Sequence, residues 1–136
     1  MRKRTFFGIS AGIALIVASG IGIMPPSTDL CAADAPKTSF ADDILPLLKW
    51  RCGSCHQSGG VGYEKSGLDL TTYEGVMKGT KFGAMVIPKD PASSNLMLLL
   101  DWRVAPALRM PHCLKQLSTC DRGAIRNWIR EGALNN

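Results

Sequence analysis

The sequence predicts a small helical domain, and two observations carry that prediction. Apolar residues recur at helical spacing towards both ends of the chain: Phe40, Ile44, Leu47 and Leu48 in one run, Ile125, Trp128 and Ile129 in the other. Each run follows a capping sequence, Ser39-Phe40-Ala41-Asp42 and Ser118-Thr119-Cys120-Asp121, of the kind that satisfies the free amides of a first helical turn.

The elements follow in order. The first helix runs towards residue 52, but Pro46 lies within it. Proline lacks a backbone donor and crowds the turn before it, so the helix is expected to begin near Asp43 or to kink. A glycine-rich loop is expected from Gly59 to Gly67, then a short apolar alternation at Leu68 and Leu70 and a helix around Tyr73 to Lys78. Pro88 to Pro91 lead into an apolar helix from Ser94 to Trp102, and the last helix should stop at Gly132. No internal repeat or low-complexity tract interrupts this order.

Directly after the first helix stands Cys52-Gly53-Ser54-Cys55-His56. C-x-x-C-H is the attachment sequence of a c-type haem. On a helical turn the two thiols share a face, where both add to the vinyl groups of one porphyrin, and the histidine at i+4 from Cys52 lies under the iron. A redox C-x-x-C expects a βαβ surround that the periodicity lacks. A zinc site needs two further ligands, for which Cys113, Cys120 and His112 are the only candidates. One covalent haem c is the reading adopted, with Cys52 and Cys55 as thioether attachments and His56 as proximal ligand.

The compartment fits that chemistry. Met1-Arg2-Lys3-Arg4 precedes an apolar stretch from Phe6 to Met24, and Leu30-Cys31-Ala32-Ala33-Asp34 offers small residues for a signal peptidase. Residues 1–33 are expected to be a signal peptide and residues 34–136 one domain, periplasmic or otherwise exported. Bulky Leu30 does not suit a lipoprotein box, so Cys31 is expected to leave with the leader. The apolar stretch is long for a signal, and Gly8 and Gly12 are spaced as in membrane helix pairs. The alternative is therefore an uncleaved anchor on the outer face of the cytoplasmic membrane, membrane contact following only if residues 5–24 are kept. A domain of this size has a thin core, which a haem enlarges.

The chain carries a formal net charge of +5, yet it has no basic run interleaved with aromatic residues, so nucleic acid is excluded as a partner. Lys49, Arg51, Lys65, Lys78, Lys81 and Lys89 flank the haem motif and the middle of the chain. They read either as a docking patch for an acidic redox partner or as an ordinary solvated surface.

Candidates for the second iron ligand are few: Met77, Met85, Met97, Met110 and His112. Met110 is the best placed, because it sits in a loop beside Pro111, whose ring restrains the backbone that carries the thioether. Met97 lies in the apolar run Leu96 to Leu100 and reads as core. His112 and an open iron remain alternatives. A bound thioether raises the haem potential and fills the site, favouring electron transfer, whereas an open position invites small-molecule chemistry.

In order along the chain, Asp43-Ile44-Leu45-Pro46-Leu47-Leu48, the haem motif, Gly67-Leu68-Asp69-Leu70-Thr71, Ile87-Pro88-Lys89-Asp90-Pro91 with Ser94 and Leu96, Met110-Pro111 and Trp128-Ile129-Arg130-Glu131-Gly132-Ala133 form a familiar set. With them the chain resembles the monohaem class I cytochromes c, most closely the planctomycete-type cytochrome c domains, over residues 38 to 135. The resemblance implies an all-α cytochrome c fold with crossed N- and C-terminal helices around one covalent haem, His56 as proximal ligand and Met110 as distal ligand. Such proteins often read Met-Pro-Pro; here His112 replaces the second proline, which keeps His112 in the ligand question.

Cys113 and Cys120 stand outside the family pattern. In an oxidising compartment two leftover thiols are most simply paired, so a Cys113–Cys120 disulfide is expected, the alternative being two separate thiols. The functional expectation is an exported electron carrier and not an enzyme in its own right, serving redox partner proteins freely or within a larger membrane-associated electron-transfer complex. The alternative is a haem enzyme or gas-binding sensor in which Met110 does not bind. Nothing in the chain resembles a peroxidase acid/base pair.

Overall fold

The structure, a computed structural model, describes residues 37–136. The expected leader, its expected cleavage site and Cys31 lie outside the described residues. Among the described residues the chain is helical and has no strand; Thr80 and Gly83 form an isolated bridge. No described helix is long and apolar enough to cross a membrane.

Ser39 opens the first helical segment as expected. Its hydroxyl accepts the Asp42 amide at 3.1 Å, and its own amide donates to the Asp43 carboxylate at 2.9 Å. A π-helical turn, Phe40–Ile44, runs straight into α1, Leu45–Cys52. Pro46 thus falls in the first turn of α1, directly after the π-helical turn, whose wider spacing takes the place of a kink.

Where a glycine-rich loop was expected, the chain forms α2, Val61–Ser66. Gly60 and Gly67 lie at its two ends, Gly67 in the left-handed region at φ 75°, so two of the four local glycines act as caps. Leu68 and Leu70 follow, both buried. Then comes α3, Tyr73–Lys78, at the expected place, with the Thr72 hydroxyl accepting the Gly75 amide at 3.0 Å. Ser94, fully buried, ties the Pro88 to Pro91 loop to the next helix: its hydroxyl accepts the Ile87 amide at 2.9 Å and donates to the Asp90 carbonyl at 2.8 Å. That helix, α4, spans Asn95–Leu100 and stops short of Trp102.

The last helix, α5, spans Thr119–Arg130 and begins in a capping box between Ser118 and Asp121. Its expected face is inward: Ile125, Trp128 and Ile129 are all buried. Beyond its end Gly132 adopts φ 113°, with its amide on the Ile129 carbonyl at 3.0 Å and the Ala133 amide on the Trp128 carbonyl at 2.8 Å.

The first helical segment packs against α5. The Phe40 ring lies 5.3 Å from Trp128 and meets Tyr73 edge-on at 5.1 Å, and the Tyr73 hydroxyl donates to the Ala133 carbonyl at 2.8 Å. On the other side α5 meets α4, whose Met97 and Leu100 are buried in the same core, and an ion cluster joins the two. Asp101, just past α4, accepts from Arg122 at 3.0 Å and from Arg126 at 2.7 Å. Its side chain is only 13% exposed, which sets this cluster apart from ordinary surface pairs.

The expected Cys113–Cys120 bridge is not formed. Cys113 is a free, exposed thiol, and Cys120 is disulfide-bonded, though not to Cys113. Cys113 sits at φ 57° in a turn closed by the Leu114 amide on the Pro111 carbonyl at 3.4 Å. Between the two cysteines the chain is committed to α4: Gln116 donates to the Leu100 carbonyl at 2.9 Å and Leu117 is buried. Cys113 thus lies in that turn, while Cys120 lies in the first turn of the next helix.

Replacing Asp101 removes the shared partner of two half-buried guanidinium groups. Asp101→Ala is expected to lower the unfolding free energy by about 2 kcal/mol in urea denaturation, and Arg122→Ala in the same background to add less than it does alone.

Candidate functional site

α1 ends at Cys52, and one further turn carries the rest of the motif. The Cys55 and His56 amides both donate to the Cys52 carbonyl, at 3.1 and 2.9 Å, so the spacing of an i+4 helical turn is kept beyond the last helical residue. Cys52, Cys55 and His56 all line one space, a cavity of about 390 Å3. Cys52 is half-buried, and burial pushes its thiol up to about 11, which keeps it protonated at neutral pH. Cys55 is exposed at the cavity edge.

His56 forms part of the wall. Burial lowers its pKa, with the Leu68 backbone pulling partly the other way, and Nδ1 is buried without a hydrogen-bond partner. A neutral imidazole is the form that ligates metal. Its carbonyl accepts the Leu70 amide at 2.9 Å, which draws the Leu68 to Leu70 segment along the same wall.

α2 closes over the imidazole. The Tyr63 amide donates to the Cys55 carbonyl at 2.9 Å, and this brings Gly62 flat against the ring. A Cβ at residue 62 would stand 2.8 Å from His56 Cε1, 2.9 Å from Nε2 and 2.9 Å from the Cys55 carbonyl oxygen. Gly62 is a site residue that the sequence reading missed, because in a glycine-rich stretch nothing marks the one glycine that must lack a side chain.

Met110, Pro111 and His112 line the same cavity as His56. Met110 is half-buried and packs on the core, Pro111 is buried, and His112 is exposed. Of the other methionines, Met85 also lines the cavity, whereas Met97 is wholly buried in the core as expected. Leucines supply most of the remaining surface, among them Leu48, Leu68, Leu96 and Leu99, while Arg51 and Lys65 contribute cationic groups. The donor set suits a flat apolar ring. Two thiols stand where it can be bonded, an imidazole nitrogen lies in a dry wall, and thioethers line the cavity besides.

The comparison with known families bears on this segment directly. Residues 52–111 match the family Planctomycete cytochrome C. The matched stretch begins at Cys52 and ends at Pro111, so it spans both the Cys52 to His56 turn and the Met110-Pro111 pair. This is the family that the sequence resembled, and it is one whose description implies haem c. No curated protein and no solved structure matches the chain.

Gly62 gives a clear expectation. Gly62→Ala puts a methyl group against the imidazole, so the haem-to-protein absorbance ratio of the exported variant should fall several-fold. Gly123→Ala, at a position in α5 with no atom within 4 Å of a Cβ, should leave that ratio unchanged and stabilise the helix by up to about 1 kcal/mol.

Proposed function

We propose that this cytochrome c domain is an exported one-electron carrier built around a single haem c. Cys52 and Cys55 would hold the porphyrin by thioether bonds, with His56 as proximal ligand and Met110 as distal ligand. The observation that carries the reading is that the attachment turn and Met110 line one apolar cavity within a segment matched to the family. Bound there, haem supplies a one-electron couple; the protein sets its potential and its access.

The chain's own residues account for the remaining requirements. Gly62 and Leu68 fix the imidazole, and the leucine lining excludes water, which keeps the environment of the couple constant. The thioether of Met110 occupies the position that a small molecule would otherwise take. Arg51 and Lys65 lie where acidic groups of the ring or of a redox partner can be met, and exposed Val61 and Leu114 beside them give a partner an apolar surface. The packing of the first helical segment on α5 agrees with the crossed terminal helices of class I cytochromes c. Residues 1–33 serve as a cleaved export signal in this reading, and the domain works in the periplasm or an equivalent outer compartment, free or within a membrane-associated redox complex. An N-terminus near Asp34 in the isolated protein is the corresponding outcome, while an intact Met1 in the membrane fraction points to an anchor.

Haem should stay with the polypeptide through acid-organic extraction and denaturing electrophoresis, and the double variant Cys52→Ala, Cys55→Ala should lose it. The oxidised protein should show the weak long-wavelength charge-transfer band of thioether ligation, absent in Met110→Ala, which should also have a lower potential. Loss of native ligation in His112→Ala, with Met110→Ala silent, transfers the role to His112.

Function itself is tested by turnover. Rapid reversible electron exchange with negligible peroxide turnover at neutral pH is the expected result. Saturable peroxidase activity with Met110 still bound would move the domain to the haem enzymes.

A further inference from the structure

The end of α4 breaks a local rule. The Trp102 amide donates to the Leu99 carbonyl at 3.3 Å and the Arg103 amide to the Leu98 carbonyl at 3.0 Å, the paired bonds of a Schellman motif. That motif drives the residue after the cap into the left-handed region, where glycine is favoured because it has no Cβ. α5 ends in the same way and has Gly132 at this position. α4 has a tryptophan there, at φ 58°. A bulky residue in a conformation that disfavours it persists where something else holds it, and such positions cluster at functional sites.

The indole explains the exception. Trp102 Nε1 donates to the Met110 carbonyl at 2.9 Å, and the Met110 amide donates to the Leu99 carbonyl at 3.3 Å. The backbone of Met110 is thus held at both its polar groups by the end of α4. Behind the indole lies the Arg109 guanidinium, 5.2 Å from the ring centroid, and Arg109 Nε is buried with no hydrogen-bond partner, so the ring face is its compensation. Arg109 adjoins Met110 in sequence, and the stack therefore locks the same segment again.

We propose that Trp102 is a positioning residue for the Met110 thioether, holding the Met110 backbone so that its side chain stays directed into the cavity it shares with His56. The proposal rests on the reading that Met110 binds iron. With the indole bond gone, the Met110 carbonyl has no fixed partner, the segment opens more often, and an exogenous ligand gains access. Packing of the indole on Arg109 alone is the competing account, and it does not need the indole N–H.

The test uses the haem-loaded protein, with imidazole as the probe of the iron. Trp102→Phe keeps a ring for Arg109 and removes the N–H. Trp102→Gly removes the ring as well but restores the residue that the motif favours, so it is expected to fold. Both should weaken the thioether charge-transfer band, lower the reduction potential and bind imidazole about ten-fold more tightly than the unmutated protein, a factor equivalent to about 1.4 kcal/mol. Met110→Ala should exceed both, and adding Trp102→Phe to it should change nothing further. If Trp102→Phe matches the unmutated protein in band, potential and imidazole affinity while Met110→Ala alters all three, the role of Trp102 is overturned and Met110 ligation stands. If Met110→Ala is also silent, the ligation reading fails and takes this proposal with it.

Discussion

α5 is the common support of both sides of the site. One of its faces carries Trp128, against which Phe40 packs, and Phe40 begins the helical segment that ends at Cys52 and delivers His56. Arg122 and Arg126 of α5 hold Asp101 at the end of α4, and from the last turn of α4 the Leu99 carbonyl holds Met110. The relative position of the imidazole and the thioether thus depends on how two helical segments dock on a third. An error in that docking reaches the site from both directions.

This arrangement uses the polypeptide economically. The helices are short, and a helix of six residues has little stability of its own. Each is held by something specific: α2 by the Cys55 carbonyl, α3 by Tyr73 on Ala133 and Phe40, α4 by buried Ser94 at one end and Asp101 at the other. Leucines of the core, among them Leu48, Leu68 and Leu96, also line the cavity. An apolar ring bonded to Cys52 and Cys55, as proposed, would add contacts to those leucines, and its covalent tether would mean that the contacts need not also provide for retention.

Much of this was legible in the sequence, and what was not has physical reasons. Ser39, Ser118 and Gly132 announce helix ends because capping is local chemistry, and the apolar spacing of Ile125, Trp128 and Ile129 named the buried face of α5. α2 was hidden because its boundary glycines read as loop, while the bond that fixes it runs to Cys55, outside its own segment. The length of α4 was overstated for the opposite reason: Trp102 follows an apolar run broken only by Asp101, and nothing in one dimension shows that it leaves the helix to reach residue 110. The cysteines misled because pairing was inferred from the compartment and from their being the two thiols left over, neither of which shows where the chain places them.

The thiol of Cys113 has a practical side. Once Cys52 and Cys55 are taken up in thioether bonds, Cys113 is the one free cysteine among the described residues, exposed and three positions from Met110. A maleimide probe or a gold surface would engage the protein at that address. Every molecule on an electrode would then present the Met110 loop towards the metal, and current across such a film would report on that edge of the site rather than on an average over orientations.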